Sequence, residues 1–387
     1  MVRVGLAGIG YIAEEYIRLF SQGKIQNASV CALSSRNEAR MQQIQERYGL
    51  ENAALFSDYD AMLASGKIDM VMICTPHFYH PEMAVRALKH NIHTLIEKPV
   101  GVFPEELDSL LDCVRSRPHL RAGVLYCRRC GKAFMQLKQM LTESALGEIR
   151  RVTWITTEMY RPQAYFDAYP WKGTFRGEGG GLLMTQVSHQ LDLLVWLLGL
   201  PRTVQAACHT GKERGIQVEN EAALLLEYPW GASGQMIASS RECPGTDRLE
   251  IAGTRGRAVL ENRGAMSLYT LREDERVYSA RSREAYGRIP GVERQMVFPC
   301  EENTELQADI INHFVSSVTE GTPAVCPVEQ AVQTQQLIQA AYLSAWTHRL
   351  VLLPADAEAF THELRRRIEY GTDGGTAALK GKPQSGS

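Results

Sequence analysis

The sequence predicts an α/β plus α+β protein: a doubly wound parallel sheet first, then a domain built on a mostly antiparallel sheet. Three observations predict it. A β-rich run at the start ends in a glycine turn and a helical stretch. Strand-like and helical segments then alternate to about residue 125. Beyond that, short β-type runs are separated by turn signals. The 387 residues exceed one ordinary core and suit two domains. We place the first at 1–127, the second at 128–370 and a disordered tail at 371–387, where Gly, Lys and Ser dominate.

The first strand, Val2 to Ile9, reads as buried on both faces. It runs into Gly8-Ile9-Gly10-Tyr11-Ile12-Ala13, a Gly-x-Gly-x-x-Ala pattern, and a helix from Ala13 to Phe20. In that order, the glycines let backbone amides approach a pyrophosphate at a helix start, which points to a dinucleotide. A second strand, Ser29 to Leu33, ends at Ser34-Ser35-Arg36 with no acidic residue for a ribose hydroxyl. Ser35 and Arg36 can instead receive a 2′-phosphate, so we expect NADP or NAD, with a lean to NADP. Arg36 facing solvent or the adenine is the alternative. Helices at Asn37–Tyr48, Pro81–His90 and Pro104–Arg115 alternate with strands at Asp69–Cys74, His93–Ile96 and Leu120–Leu125. Their ends, Gly8, Ser35, Thr75 and Lys98, would share one rim, where open sheets bind ligands.

After a helix at Phe134–Leu141, β-type runs follow at Ile149–Met159, Thr203–His209, Glu221–Tyr228, Gly234–Ser239, Arg248–Ala252, Ala258–Glu261 and Ser267–Leu271. Two closing helices, Glu305–Glu320 and Val328–Trp346, either cover the sheet or pack back on the first domain. Leu182 to Leu198 is helical in pattern, which would set Thr185, His189 and Asp192 along one face. Taken alone, His189 reads as well as a core histidine.

Composition narrows the function classes. The formal net charge is -2 without a long basic block, so neither nucleic acid nor an anionic membrane is an expected partner. No apolar run reaches the ~20 residues of a membrane span, and Met1 leads straight into a strand, so no signal peptide is expected. Nine scattered cysteines fit free thiols in the cytoplasm. Cys127-Arg128-Arg129-Cys130 has metal-type spacing but no second pair, and no metal site is expected.

The glycine turn, Thr75-Pro76-His77, Glu97-Lys98-Pro99, and Gly179-Gly180-Gly181 followed by His189-Gln190-Leu191-Asp192 occur in the order and spacing of the Gfo/Idh/MocA oxidoreductases. The sequence resembles that family from about Val2 to Pro354. Arg161 to Tyr165, Trp171 to Thr174 and Gln186 to Asp192 look most like its levoglucosan dehydrogenase and glycoside 3-dehydrogenase branch. The resemblance implies a large, open C-terminal sheet covered by helices on one face. It implies hydride transfer between a nicotinamide and a secondary alcohol of a sugar, cyclitol or glycoside. It implies Lys98 and His189 as catalytic residues, with a cis Lys98–Pro99 peptide. Thr185 stands where many members carry an aspartate, and Asp192 is a substitute partner for His189. Cofactor contacts would fall on Gly8, Gly10, Tyr11, Ile12, Ser35, Arg36, Thr75, Pro76, His80, Glu97 and Lys98. Substrate contacts would fall on Lys98, Arg129, Tyr160, Arg161, Tyr165, Trp171, Gln186 and His189. A homodimer or homotetramer would form through the open sheet face, with Val204, Ala206, Leu224, Leu226 and Ile237 as its apolar residues. Loss of the aspartate at Thr185 keeps a redox-neutral reading open, in which a sugar carbon is oxidised transiently before elimination or epimerisation. A non-catalytic nucleotide sensor is the third reading.

Overall fold

The first strand, β1 (Val2–Ala7), is buried except at Arg3 and lies inside a six-stranded parallel sheet. The structure is a computed structural model that describes residues 1–371. The expected disordered tail therefore lies outside the described residues, apart from Gly371. The other strands are β2 (Ala28–Ser34), β3 (Ala54–Phe56), β4 (Met70–Ile73), β5 (His93–Ile96) and β6 (Ala122–Val124), in the order β3-β2-β1-β4-β5-β6. Connecting helices are α1 (Tyr11–Ser21), α2 (Glu38–Arg47), α3 (Tyr59–Ala64), α4 (His80–Lys89) and α5 (Pro104–Arg115). Asn37 starts α2 by accepting the Arg40 amide at 3.0 Å. Strand order reverses between β1 and β4, which opens a crevice at their carboxyl ends. Neither β3 nor α3 was expected, since three and six residues show no period to read.

The second domain begins with α6 (Lys132–Thr142) and β7 (Ile149–Thr156). Short helices follow: α7 (Gln163–Asp167), α8 (Phe175–Glu178), α9 (Leu182–Thr185) and α10 (Ser188–Leu198). Then come β8 (Thr203–Thr210), β9 (Glu219–Glu227), β10 (Ser233–Ser239), β11 (Asp247–Gly253), β12 (Gly256–Glu261) and β13 (Ala265–Leu271). The chain ends in α11 (Glu275–Arg281), β14 (Gly291–Val297), α12 (Asn303–Glu320), α13 (Val328–Thr347), β15 (Val351–Leu352) and α14 (Ala357–Tyr370). Nine strands form one sheet, β14-β13-β12-β11-β7-β10-β9-β8-β15, parallel between β7 and β10 and otherwise antiparallel. The reading of the sequence omitted β14, β15, α11 and α14. In α14 only Phe360 and Leu364 are buried, too few to mark a stripe.

The closing helices do both things the sequence left open. Leu306, Ile310, Ile311 and Phe314 of α12 join Val4, Leu6 and Ile17 in the first domain's core. Along α13, Val328, Ala331 and Val332 pack with Ile73 and Ile96, while Leu337, Ile338 and Tyr342 pack under the antiparallel sheet. One helix thus spans both cores and fixes the joint between them. The parity of the sheet needs correction. Val204, Ala206, Leu224 and Leu226 face inward and are buried; of the five residues expected outside, only Ile237 is exposed. Their outward neighbours are Gln205, Ala207, Ala223 and Leu225. Both faces of β9 carry apolar residues, so hydrophobicity alone could not set its register. No described helix is long and apolar enough to cross a membrane.

Candidate functional site

The rim of the parallel sheet is built by close packing. Gly8 has φ +86, and a Cβ there would lie 2.8 Å from Thr75 Cγ2 and 2.9 Å from the Cys74 carbonyl, so only glycine fits. At Gly10, by contrast, an added Cβ would meet nothing within 4 Å. There is open room before the first amides of α1, as a pyrophosphate requires. Tyr11 is exposed and Ile12 half-buried beside it; at the end of β2, Ser35 is half-buried and Arg36 exposed. His80 is fully buried between the Thr75 carbonyl at 2.7 Å and the Pro99 carbonyl at 2.8 Å. Burial lowers its pKa, and the two carbonyls pull the other way. Its ring staples the end of β4, where Pro76 is exposed, to the segment after β5.

Lys98 projects from that segment, and its peptide to Pro99 is cis. It is held from two domains. On the first, the Glu97 carboxylate accepts the Lys98 amide at 2.9 Å and the Tyr16 hydroxyl. On the second, the Lys98 ammonium donates to the Thr185 carbonyl at 2.8 Å. Buried, Glu97 titrates above the usual carboxylate range.

That carbonyl is available because the expected helix is broken. α9 stops at Thr185 and α10 starts at Ser188, so Thr185 and His189 do not share one continuous helix face. The Leu182 carbonyl accepts both the Gln186 amide at 3.1 Å and the Val187 amide at 2.9 Å, a one-residue widening of the turn. The Thr185 hydroxyl turns back to Gly181 O at 2.8 Å. His189 is half-buried against the Tyr126 ring, and its Nδ1 has no hydrogen-bond partner. Burial, then the charges of Lys98 and Arg128, hold its pKa well below the usual histidine value.

Asp192 does not partner His189. Arg129 takes both its oxygens, at 2.8 and 2.7 Å, and Thr334 donates to one at 3.1 Å. Arg129 also bonds the Val325 carbonyl at 3.1 Å and Gln330, deep in the core. This corrects two expectations: Arg129 is not placed to touch a substrate, nor Asp192 to assist the imidazole. The neighbour Arg128 is buried with an Nη1 that has no hydrogen bond, near Glu158 and Asp247; Glu158 Oε1 has none either, and Asp247 Oδ2 has only the Arg263 guanidinium, 3.9 Å away. The sequence reading missed all three. Buried polar atoms usually find a partner in the protein, in water or in a ligand, so this group can receive one.

Tyr160, Arg161, Tyr165 and Trp171 form an aromatic and cationic cluster between β7 and α8. Lys172 Nζ lies 3.6 Å from the Tyr165 ring centre, and Arg161 lies 5.0 Å from it. Tyr160 and Trp171 are exposed; Gln186 is buried. Glu178, also missed, links this cluster to the site: its carboxyl feels both Lys172 and Lys98, and burial pushes its pKa up to about 7. Its oxygen accepts the Gly173 amide at 2.6 Å, and its backbone carbonyl faces His77 Nδ1 at 3.2 Å. Cys127 and Cys130 are buried thiols, both pushed up to about 12.

Known proteins are similar to this chain in sequence and in fold. Residues 2–124 match an oxidoreductase family's NAD-binding Rossmann fold, and residues 138–353 match its C-terminal α/β domain. D-glucoside 3-dehydrogenase of Escherichia coli is 28% identical over 56% of this chain and 59% of its own length. Inositol 2-dehydrogenase of Rhizobium meliloti is 25% identical over 83% of this chain and 89% of its own. Levoglucosan dehydrogenase in complex with NADH superposes with a TM-score of 0.75 at 20% identity, covering 92% of this chain and all of that one, a likeness of fold. With both family domains matched in sequence and in order, the chain belongs to the Gfo/Idh/MocA oxidoreductase family.

Proposed function

We propose that this protein transfers hydride reversibly between NADP(H) or NAD(H) and a secondary alcohol of a sugar, cyclitol or glycoside. One observation carries the reading: the Lys98 ammonium crosses the domain joint to Thr185 O at 2.8 Å, beside an imidazole with a free Nδ1. The open space before α1 and the exposed Arg36 suit a dinucleotide, whose nicotinamide would take or give the hydride. The side chains do the rest. Lys98 has donors to spare beyond Thr185 and would hold the reacting hydroxyl. His189, kept neutral, would accept the hydroxyl proton as the carbon is oxidised. Atoms without hydrogen bonds on Arg128, Glu158 and Asp247 suit a ligand rich in hydroxyls. A homodimer or homotetramer through the outer sheet face around Leu225 and Ile237 belongs to the same reading, as does a cytoplasmic setting. Elution as a monomer at micromolar concentration would count against the assembly.

The test is Lys98→Ala, assayed across a panel of polyols and glycosides with both cofactors, and with cofactor binding measured separately. Turnover should fall by about 10²–10⁴-fold while cofactor still binds. Near-normal turnover would remove the assignment. Turnover without net change in reduced-nicotinamide absorbance would move it to the redox-neutral reading.

A further inference from the structure

α9 is one turn long, and a single turn has no stability of its own. Its first residue, Leu182, follows Gly181, which has no side chain to cap the free amides. The cap comes from another strand. Glu219 at the start of β9 accepts the Gly181 amide at 3.0 Å through Oε2 and the Leu183 amide at 2.8 Å through Oε1. The Tyr342 hydroxyl, from α13, donates to the same Oε1 at 2.8 Å and accepts from Gly181 at 3.0 Å. Both side chains are buried, and room for them exists only because a Cβ on Gly180 or Gly181 would collide with Tyr342 Oη or the Glu219 carbonyl. A carboxylate therefore sits at the amino end of the turn, and the Lys98 ammonium sits at its carboxyl end. That is the favourable order of charges along a helix dipole.

We propose that Glu219, braced by Tyr342, is a positioning residue: it fixes the orientation of α9 and so the Thr185 carbonyl that aims Lys98 at the reacting hydroxyl. This rests on the reading of Lys98 given above. It also gives the Thr185 side chain a modest part, since the backbone carbonyl, not the side chain, meets the lysine. Burial pushes the Glu219 pKa up to about 7, and its three donors hold it down against that cost.

The test uses Glu219→Gln and Tyr342→Phe in the full-length protein. The amide keeps the shape but turns an N–H toward the Gly181 amide, where an acceptor is needed. Glu219→Gln should lower kcat at least about tenfold, with substrate KM and cofactor Kd within about threefold. Tyr342→Phe should lower kcat several-fold in the same pattern. Labelling of Lys98 by an amine-acylating reagent, followed by mass spectrometry, should speed up several-fold in both, because the ammonium is less firmly held. A Glu219→Gln enzyme with kcat within twofold of wild type, or unchanged Lys98 labelling, overturns the proposal. If Glu219→Gln does not fold, Tyr342→Phe decides it by the same two measurements. Should Lys98→Ala itself keep its turnover, the function is what fails, and the labelling rates still decide whether Glu219 positions the lysine.

Discussion

Arg128 and Arg129 are adjacent in sequence, buried, and opposite in circumstance. Arg129 is enclosed by Asp192, Val325, Gln330 and, through Asp192, Thr334. Arg128 keeps a nitrogen without a hydrogen bond, near two carboxyls that each have one oxygen without a hydrogen bond. One region is closed by its own side chains; the other suits the hydroxyl-rich ligand proposed above. A buried ion pair that is fully bonded adds little net stability, but breaking it strands a charge. An unpartnered buried guanidinium has already met that cost in the free protein, so removing it should cost the fold little.

The largest effect should therefore come from Arg129. Arg129→Ala leaves Asp192 buried without its cation, and denaturant unfolding should show a loss of about 3–5 kcal/mol. Loss of under about 1 kcal/mol would mean the two regions are not different after all.

The contrast extends to carboxyls. Asp192 meets a guanidinium, while Glu178 accepts one amide and is left with a pKa of about 7. Its folded value lies above the unfolded value near 4.5, so the folded state binds the proton more tightly. The stability it confers is complete below about pH 4.5 and is lost as pH rises toward 7. His77, held down to about 3 by burial and by its charged neighbours, slopes the opposite way below pH 6.5. Comparing wild type with Glu178→Gln cancels that and every other group. The difference in unfolding free energy should shrink against wild type by about 3 kcal/mol between pH 4.5 and 7, to order of magnitude. A flat difference would show that Glu178 titrates normally.

Arg128→Met sharpens the comparison from the other side. We expect stability within about 1 kcal/mol of wild type and kcat/KM lower by about 10–100-fold, the worth of a charged hydrogen bond to substrate. Both quantities should come from one preparation, since a stability loss as large as that of Arg129→Ala would erase the distinction.

This contrast also marks what could be read from the chain. Strands β1, β2, β4 and β5 were legible because each is a mostly apolar, β-rich run bounded by a turn, and Lys98 because it follows one. The pair Arg128–Arg129 was not. Within a tight turn, neighbouring side chains diverge, and which one meets Asp192 depends on α10 and α13, far along the chain. The break between α9 and α10 was hidden for a similar reason. Leu182, Leu183, Val187 and Leu191 keep an apolar pattern through it, and Glu219, Tyr342 and Lys98, all distant in sequence, stabilise the interruption. Glu219 itself shows no local signal; it reads as one more acidic residue at a strand start.

A third arginine gives the smallest and most selective effect. Arg36 is neither enclosed like Arg129 nor buried like Arg128; it stands exposed where β2 ends, with Ser35 beside it. There it is screened by salt, so a bare point charge would add little. A fork of donors facing a 2′-phosphate would add more, because two oxygens can be met at once. Arg36→Ala should therefore raise the Kd for NADP about tenfold, leave NAD within about twofold, and lose its effect as ionic strength rises. An equal loss for both dinucleotides would assign the guanidinium to the shared adenine half. No loss for either would put Arg36 in solvent, and the lean to NADP would go with it.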